Sequence, residues 1–119
     1  MSYTFEKQPA YEQTLSLIRT VDEKLQYTKR HRDKRIPEME RFLDLLQETA
    51  ACIARTHAGG SPQHAAHARC ALENAMAACP ALSRLLQMDI VSSSEHDDFR
   101  HHLDAIAKDL TNLISSYGA

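Results

Sequence analysis

The sequence predicts an all-α protein, a single-domain antiparallel four-helix bundle of up-down-up-down topology spanning residues 1–119. Apolar residues recur at intervals of three and four in four separate segments, which indicates amphipathic helices. Only 3 glycines and 4 prolines interrupt the chain, and straight-chain residues, which lose little rotamer freedom in a helix, are abundant. β-branched residues never alternate with polar ones, so no sheet is expected. Short loops between the helices imply antiparallel neighbours.

The first two helices are predicted over about residues 10–28 and 36–58. Pro9 suits the first turn of helix one, whose apolar stripe consists of Leu15, Ile18, Val21 and Leu25. Helix two has the stronger periodicity, with a stripe formed by Met39, Phe42, Leu43, Leu46, Ala50, Ile53 and His57. It is expected to end before Gly59-Gly60, because glycine adopts the left-handed conformation at a helix end at little cost.

The third helix is predicted over about residues 62–91, with Ser61 as N-cap and Pro62 as first helical residue. Its stripe has a seven-residue repeat and consists of Ala68, Leu72, Ala75, Cys79, Leu82 and Leu86. Pro80 lies inside this segment. Because proline lacks an N–H and crowds the carbonyl of Met76, we expect a kink or a break there.

The fourth helix is predicted over about residues 95–117. The serines before it supply an N-cap, and the acids Glu95, Asp97 and Asp98 suit the positive end of the helix dipole. Its apolar stripe consists of Phe99, Leu103, Ile106, Leu110, Leu113 and Tyr117. The seven-residue repeats of helices three and four favour left-handed, near-parallel packing of the bundle.

The chain lacks the motifs of the common enzyme classes. It has no Gly-x-Ser-x-Gly, P-loop or dinucleotide fingerprint, and 3 glycines could hardly form a phosphate cradle. Cys52, Cys70 and Cys79 each lie in an apolar-periodic segment, so buried, reduced thiols are expected, although a Cys–His nucleophile stays open. We therefore expect no enzyme, no catalytic residues and no cofactor.

A metal site is also not expected. Di-iron bundles use two Glu-x-x-His motifs, and this chain has none. Asp98 and His101 have ligand-like spacing, but they flank Phe99 and Leu103 instead of replacing core positions. A metal-dependent bundle enzyme is the minor alternative. No window approaches the ~20 apolar residues of a membrane span, and the first residues lack an apolar signal region, so a cytoplasmic location is expected.

The most basic stretch of the chain lies between helices one and two. It contains five of the 14 Lys and Arg residues, namely Lys29, Arg30, Arg32, Lys34 and Arg35. Such a cluster beside the aromatic Tyr27 could contact the phosphates and a base of RNA or DNA. It could equally be a solvated helix junction whose cations suit the end of the dipole. The net charge of −2 favours the junction.

Several apolar residues fall partly off the predicted stripes: Leu17, Leu45, Leu85, Met88 and Ile90. Apolar residues on different helices that the main stripes do not use indicate a second buried face. They therefore predict a homo-oligomer.

Three segments resemble a family of small four-helix-bundle proteins encoded in intervening sequences of bacterial 23S ribosomal RNA genes, to which the accessory proteins of diversity-generating retroelements are related. YTKRHR at residues 27–32 is similar to their aromatic-Pro-basic-x-x-Arg motif, with Thr28 in place of proline. CALENAMAACPALSRLLQMDIVS, beginning at Cys70, resembles their third helix. EHDDFRHHLDAIAKDLTNLISSY, beginning at Glu95, resembles their fourth helix. Glu73 and Asn74 stand where relatives often have Gly-Ser.

This resemblance implies a ring-shaped homopentamer with a poorly defined biochemical role. In the retroelement relatives, a positively charged surface is implicated in contact with nucleic acid and with a reverse transcriptase. The expected function is therefore a non-enzymatic assembly or adaptor protein whose first partner is itself, with an RNA, DNA or protein partner as a further expectation. The alternative is nucleic-acid binding through Lys29–Arg35, which a ring would repeat on one rim.

Overall fold

The computed structural model describes residues 8–32, 37–56 and 61–117, and the side chains of all these except residues 28–32, 61 and 62. The described residues form four α-helices and no strand: α1 Pro9–Arg32, α2 Pro37–Thr56, α3 Ser61–Gln87 and α4 Ser93–Ser116. The all-α prediction is confirmed. Helix α1 extends four residues beyond its predicted end at 28, and α3 stops four residues before its predicted end at 91.

Each helix packs against two others around one core. Helices α1 and α3 both contact α2 and α4, while α1 and α3 make no close backbone contact with each other within the described residues. Across the centre, the ring of Phe42 in α2 stacks on the ring of Phe99 in α4, with centroids 6.4 Å apart and planes 24° apart. The two aromatic rings thus fill the space between α2 and α4, which lie diagonally across the bundle.

The core stripe of α1 differs from the predicted one. Leu15 is 37% exposed, whereas Leu17 is 2% exposed. The buried positions repeat at intervals of four and three and comprise Ala10, Thr14, Leu17, Val21 and Leu25. Thr14 lies in this stripe because its hydroxyl donates a 2.6 Å hydrogen bond to the carbonyl of Ala10, which satisfies a polar group that burial would otherwise penalise.

The stripes of α2 and α4 are confirmed, except that His57 lies outside the described residues and Leu113 and Tyr117 are only partly buried. Helix α3 is rotated from its prediction: its buried positions are Ala68, Ala71, Ala75, Ala78, Leu82 and Leu85. Leu72, Cys79 and Leu86 are partly buried against the core instead. Four buried alanines let the neighbouring helices approach α3 closely.

Most of the five residues that were predicted to form a second apolar face do not lie on such a face. Leu17, Leu85 and Ile90 are buried in the core of the bundle, and Leu45 packs partly buried against it. Of the five residues, only Met88 has a substantially exposed side chain, at 37%. Four of these five residues therefore pack in or against the core of one chain, and self-association stays a prediction.

Helix α3 continues through Pro80 without the break that was one of the two expected outcomes. Pro80 and Met76 both have exposed side chains, and Met76 is 59% exposed. Since this side of α3 faces solvent, water can hydrate the Met76 carbonyl that loses its helical donor. The loss of stability that proline causes inside a helix is thereby reduced but not removed.

The end of α3 is closed by backbone hydrogen bonds and the start of α4 by side-chain caps. The N–H of Ile90 donates to the carbonyl of Leu85 at 2.9 Å, and the N–H of Asp89 donates to that of Leu86 at 3.1 Å. This is a Schellman motif, and it ends α3 at Gln87. Ser92 and Glu95 then form a reciprocal capping box at the start of α4, so the predicted serine N-cap is confirmed.

Candidate functional site

The predicted basic cluster lies at the carboxyl end of α1. The backbone of Lys29, Arg30 and Arg32 is helical, and the positions of their side chains are not described. Lys34 and Arg35 lie outside the described residues. The helix therefore continues into the first half of the cluster. Whether the cluster contacts nucleic acid stays a prediction.

Asp98 and His101, the two residues with ligand-like spacing, lie on α4, as do three neighbouring histidine and acid residues. His101, His102 and Asp98 are exposed, and His96 Nδ1 lies 3.3 Å from the carboxylate of Asp97. Within residues 8–32, 37–56 and 61–117, no three His, Cys, Asp or Glu side chains come together as metal ligands would. In the same ranges, no helix combines the length and apolarity needed to cross a bilayer.

The densest cluster of reactive side chains lies between α2 and α3. The Sγ atoms of Cys52 in α2 and Cys70 in α3 are 3.2 Å apart, and both thiols are free. Cys52 is fully buried, whereas Cys70 is partly exposed. The predicted burial is therefore correct for Cys52 only.

Three polar side chains surround the two sulfurs. The guanidinium of Arg55 donates from Nη2 to Cys52 Sγ at 3.0 Å and to Glu48 Oε1 at 2.7 Å. The amide of Asn74 donates to the Cys70 carbonyl at 2.9 Å and lies 3.8 Å from each sulfur. We call Cys52, Cys70, Glu48, Arg55 and Asn74 the thiol cluster.

The environment of Cys52 opposes its ionisation. Burial, followed by the hydrogen bond and charge interaction with Cys70, raises the pKa of Cys52 to about 12, while Arg55 acts in the opposite direction. The hydrogen bond from Arg55 also lowers the pKa of the Glu48 carboxyl group. At neutral pH, Cys52 is therefore a protonated thiol beside an exposed ion pair.

A groove between α2 and α3 lies beside this cluster. It has a volume of about 600 Å³. Its walls consist of Pro37, Glu40, Arg41, Asp44, Leu45, Glu48 and Asn74. Glu48 and Asn74 belong both to the groove and to the thiol cluster, so the groove borders the cluster.

The third cysteine is separate from this cluster. Cys79 Sγ points to the carbonyl of Ala75, 3.8 Å away, and packs partly buried against the core. Burial raises the pKa of the Cys79 thiol; the charge of Arg100 in α4 lowers it and that of Asp104 raises it. Cys79 is therefore not part of the thiol cluster.

The pairing of Cys52 with Cys70 was not anticipated from the sequence, since no Cys-x-x-Cys motif marks it. Cys52 lies four residues before Thr56, the last residue of α2, whereas Cys70 lies nine residues after Ser61, the first residue of α3. Their distances from the turn differ, so helix boundaries alone do not identify the pair, which follows only from the register of α2 against α3.

Exposed large apolar side chains occur on two helices. Leu15 and Tyr27 in α1 are 37% and 60% exposed, and Met76 in α3 is 59% exposed. Met88, just after α3, is 37% exposed. Leu15 and Tyr27 thus lie on a helix that makes no close backbone contact with α3, the helix of Met76, in the described part of the chain.

A scan against protein-family models, a search of the curated proteins and a search of the solved structures each found no match to this chain. The family suggested by the three short segments therefore stays a prediction.

Proposed function

We propose that this chain is a non-enzymatic, cytosolic assembly or adaptor protein that forms a closed homo-oligomeric ring. The observation that carries the proposal is the exposure of Leu15 on α1 and Met76 on α3, two helices on opposite sides of the bundle. A ring requires a heterologous interface, in which one surface of each subunit meets a different surface of the next. Two apolar surfaces on opposite sides meet this requirement.

The proposed topology of the subunit is an up-down-up-down bundle. Contacts between opposite ends of neighbouring helices support it. Ala10 near the start of α1 bonds to Asp109 in the second half of α4, and Lys24 in the second half of α1 pairs with Glu95 at the start of α4. His64 near the start of α3 lies against Tyr117 after α4, with ring centroids 5.4 Å apart.

We propose five subunits for the ring, a number taken from the resemblance to the family described above. Multi-angle light scattering tests it directly, since five chains of 13.4 kDa give a particle of about 67 kDa. A mass near that of one chain at micromolar concentration contradicts assembly, and a stable particle of another multiple contradicts the pentamer alone.

Charge substitutions test the contribution of each apolar surface to the subunit interface separately. Met76→Glu and Leu15→Glu should each prevent ring closure, because each buries a carboxylate in one half of the interface. Gln87→Glu adds the same charge at another exposed position of α3 and is the matched control. A mixture of the two single variants should form a dimer through the one interface that retains both apolar partners. If the mixture stays monomeric although wild type assembles, the interface is not heterologous.

The second candidate function is RNA or DNA binding through Lys29, Arg30, Arg32, Lys34 and Arg35. It is supported by the continuation of α1 to Arg32, which presents three of these residues on a regular backbone. Binding by ~4–5 cations should weaken steeply with salt, with a logarithmic slope near −4 on duplex DNA. Replacing the five residues by alanine should flatten this slope. Absence of binding at about 50 mM salt would exclude this function.

A further inference from the structure

We propose that Cys52 and Cys70 form a dithiol site that small disulfide compounds oxidise, closing a covalent disulfide between α2 and α3. This inference does not depend on the assembly proposed above. It concerns the thiol cluster, which lies within one chain.

The geometry of the pair is close to that of the product. The two sulfurs are 3.2 Å apart without a bond, and a disulfide brings them to about 2.05 Å. The two cysteines lie on separate helices that are already packed together. Closing the bond therefore requires the two sulfurs to approach each other by about 1 Å.

The exposure of the two thiols sets their order of reaction. Cys70 is partly exposed and Cys52 is fully buried, so an external disulfide reaches Cys70 first. The Cys70 thiolate attacks one sulfur of the compound, whose S–S bond breaks and releases one thiolate. Cys52 then attacks Cys70 Sγ and displaces the second thiolate. The two cysteine protons pass to the released thiolates, so one disulfide is reduced to two thiols as one protein disulfide forms.

The neighbouring side chains favour the second step. Once Cys70 is bonded to the compound, it no longer carries negative charge, and its repulsion of a Cys52 thiolate disappears. The Arg55 guanidinium, 3.0 Å from Cys52 Sγ, remains in place to stabilise that thiolate. Glu48 holds Arg55 in position through the 2.7 Å ion pair. The mixed disulfide at Cys70 is therefore short-lived.

The same arrangement disfavours a metal ion between the sulfurs. A cation there would lie next to the positive charge of Arg55, and the nearest carboxylate, Glu48, is already paired with that guanidinium. Oxidation leaves both Arg55 and Glu48 where they are. The chemistry of the cluster thus matches disulfide formation better than metal coordination.

Bis(2-hydroxyethyl) disulfide, a small neutral probe, tests the proposal on the folded full chain. Trypsin leaves Cys70 and Cys79 on one peptide, residues 70–84, so the experiment uses the Cys79→Ser chain. After reaction, free thiols are alkylated and tryptic peptides are identified by mass spectrometry without reduction. We expect peptide 42–55 joined to peptide 70–84, with the chain two hydrogen masses lighter.

Two variants resolve the order of attack. In Cys52→Ser/Cys79→Ser the mixed disulfide at Cys70 should accumulate, because the second thiol is missing. In Cys70→Ser/Cys79→Ser the remaining Cys52 should react at least tenfold more slowly. A persistent mixed disulfide at Cys70 in the Cys79→Ser chain, or no reaction of that chain until it is unfolded in urea, would overturn the proposal. The Cys79→Ser chain retains both Cys52 and Cys70, so its reaction decides the proposal even if a Cys52 variant fails to fold.

Discussion

The carboxylate of Asp109 in α4 accepts a 2.9 Å hydrogen bond from the backbone N–H of Ala10, at the second position of α1. The same Oδ2 atom accepts a 2.7 Å bond from the side chain of Gln8. Helix α1 begins at Pro9, so Gln8 occupies the N-cap position, where a short oxygen-bearing side chain is usual. Asp109 supplies that oxygen from a different helix.

Asp109→Ala should therefore lower the free energy of unfolding by about 1–2 kcal/mol, which is the cost of losing a helix cap that also joins two helices. Urea denaturation followed by circular dichroism measures it. Asp104→Ala in the same helix is the control, because its ion pair with Arg100 is exposed and should contribute no more than about 0.5 kcal/mol. Equal losses in the two variants would contradict a capping role for Asp109.

Asp89 has a left-handed backbone, with φ of 57°, among the described residues. It is the residue at which the Schellman motif turns the chain away from α3, and glycine adopts that conformation without the steric cost of a Cβ atom. Asp89→Gly should accordingly raise the free energy of unfolding by about 0.5–1 kcal/mol.

Asp98→Gly is the matched control for this change. Asp98 is also exposed but lies inside α4, where glycine is unfavourable, so its substitution should destabilise the protein by several tenths of a kcal/mol. Opposite signs for the two Asp→Gly changes in thermal or urea unfolding are the expected result. A loss of stability at position 89 would show that its aspartate has a further role.

The fold was predictable from the sequence because large apolar residues repeat at helical spacing in α2 and α4. In α1 the spacing of the apolar residues placed Leu15 inside, whereas the polar Thr14 is buried instead. The bond from Thr14 to the Ala10 carbonyl, which permits its burial, has no signature in residue type. In α3 the buried positions are largely alanines. Because alanine is only weakly hydrophobic, these positions do not indicate which side of α3 is buried. The prediction therefore placed Leu72 and Leu86 in the core instead.

The candidate site was less predictable than the fold. Pairing of Cys52 with Cys70 depends on the register of α2 against α3, and periodicity within one helix does not determine register between two. Glu48, Cys52 and Arg55 all lie on α2 at helical spacing of four and three, so that helix alone places the ion pair beside the Cys52 sulfur. Only the packing of α3 against α2 adds Cys70 and Asn74 to the cluster.

Pro80 is a second position at which a substitution should stabilise the protein. It lies inside α3, where it removes the N–H that would bond to the carbonyl of Met76. Pro80→Ala should raise the free energy of unfolding by about 1–3 kcal/mol, the helix gain being partly offset by greater freedom of the unfolded chain. Glu73→Ala, at an exposed position of α3, is the control and should change stability by less than about 0.5 kcal/mol. A destabilising Pro80→Ala would mean that the bundle requires the local shape imposed by proline.

The raised pKa of Cys52 predicts a loss of stability in alkali. In the unfolded chain the thiol ionises near its ordinary pKa of 9, whereas in the fold its pKa is about 12. Between these values the folded state binds more protons than the unfolded state, so the free energy of unfolding falls as the pH rises. Below pH 9 the contribution of Cys52 to the free energy of unfolding is fully present. By about pH 10.5 roughly 2 kcal/mol of it should be lost.

The measurement compares urea unfolding of wild type and Cys52→Ala between pH 8 and 11, with a phosphine reductant present. Other groups whose pKa is raised, including Cys79 and Tyr117, contribute to both proteins and cancel in the difference. Cys70→Ala should show an intermediate slope, since it retains the burial of Cys52 but removes the hydrogen bond and charge interaction with Cys70. Parallel curves for wild type and Cys52→Ala would show that Cys52 is not held protonated by the fold.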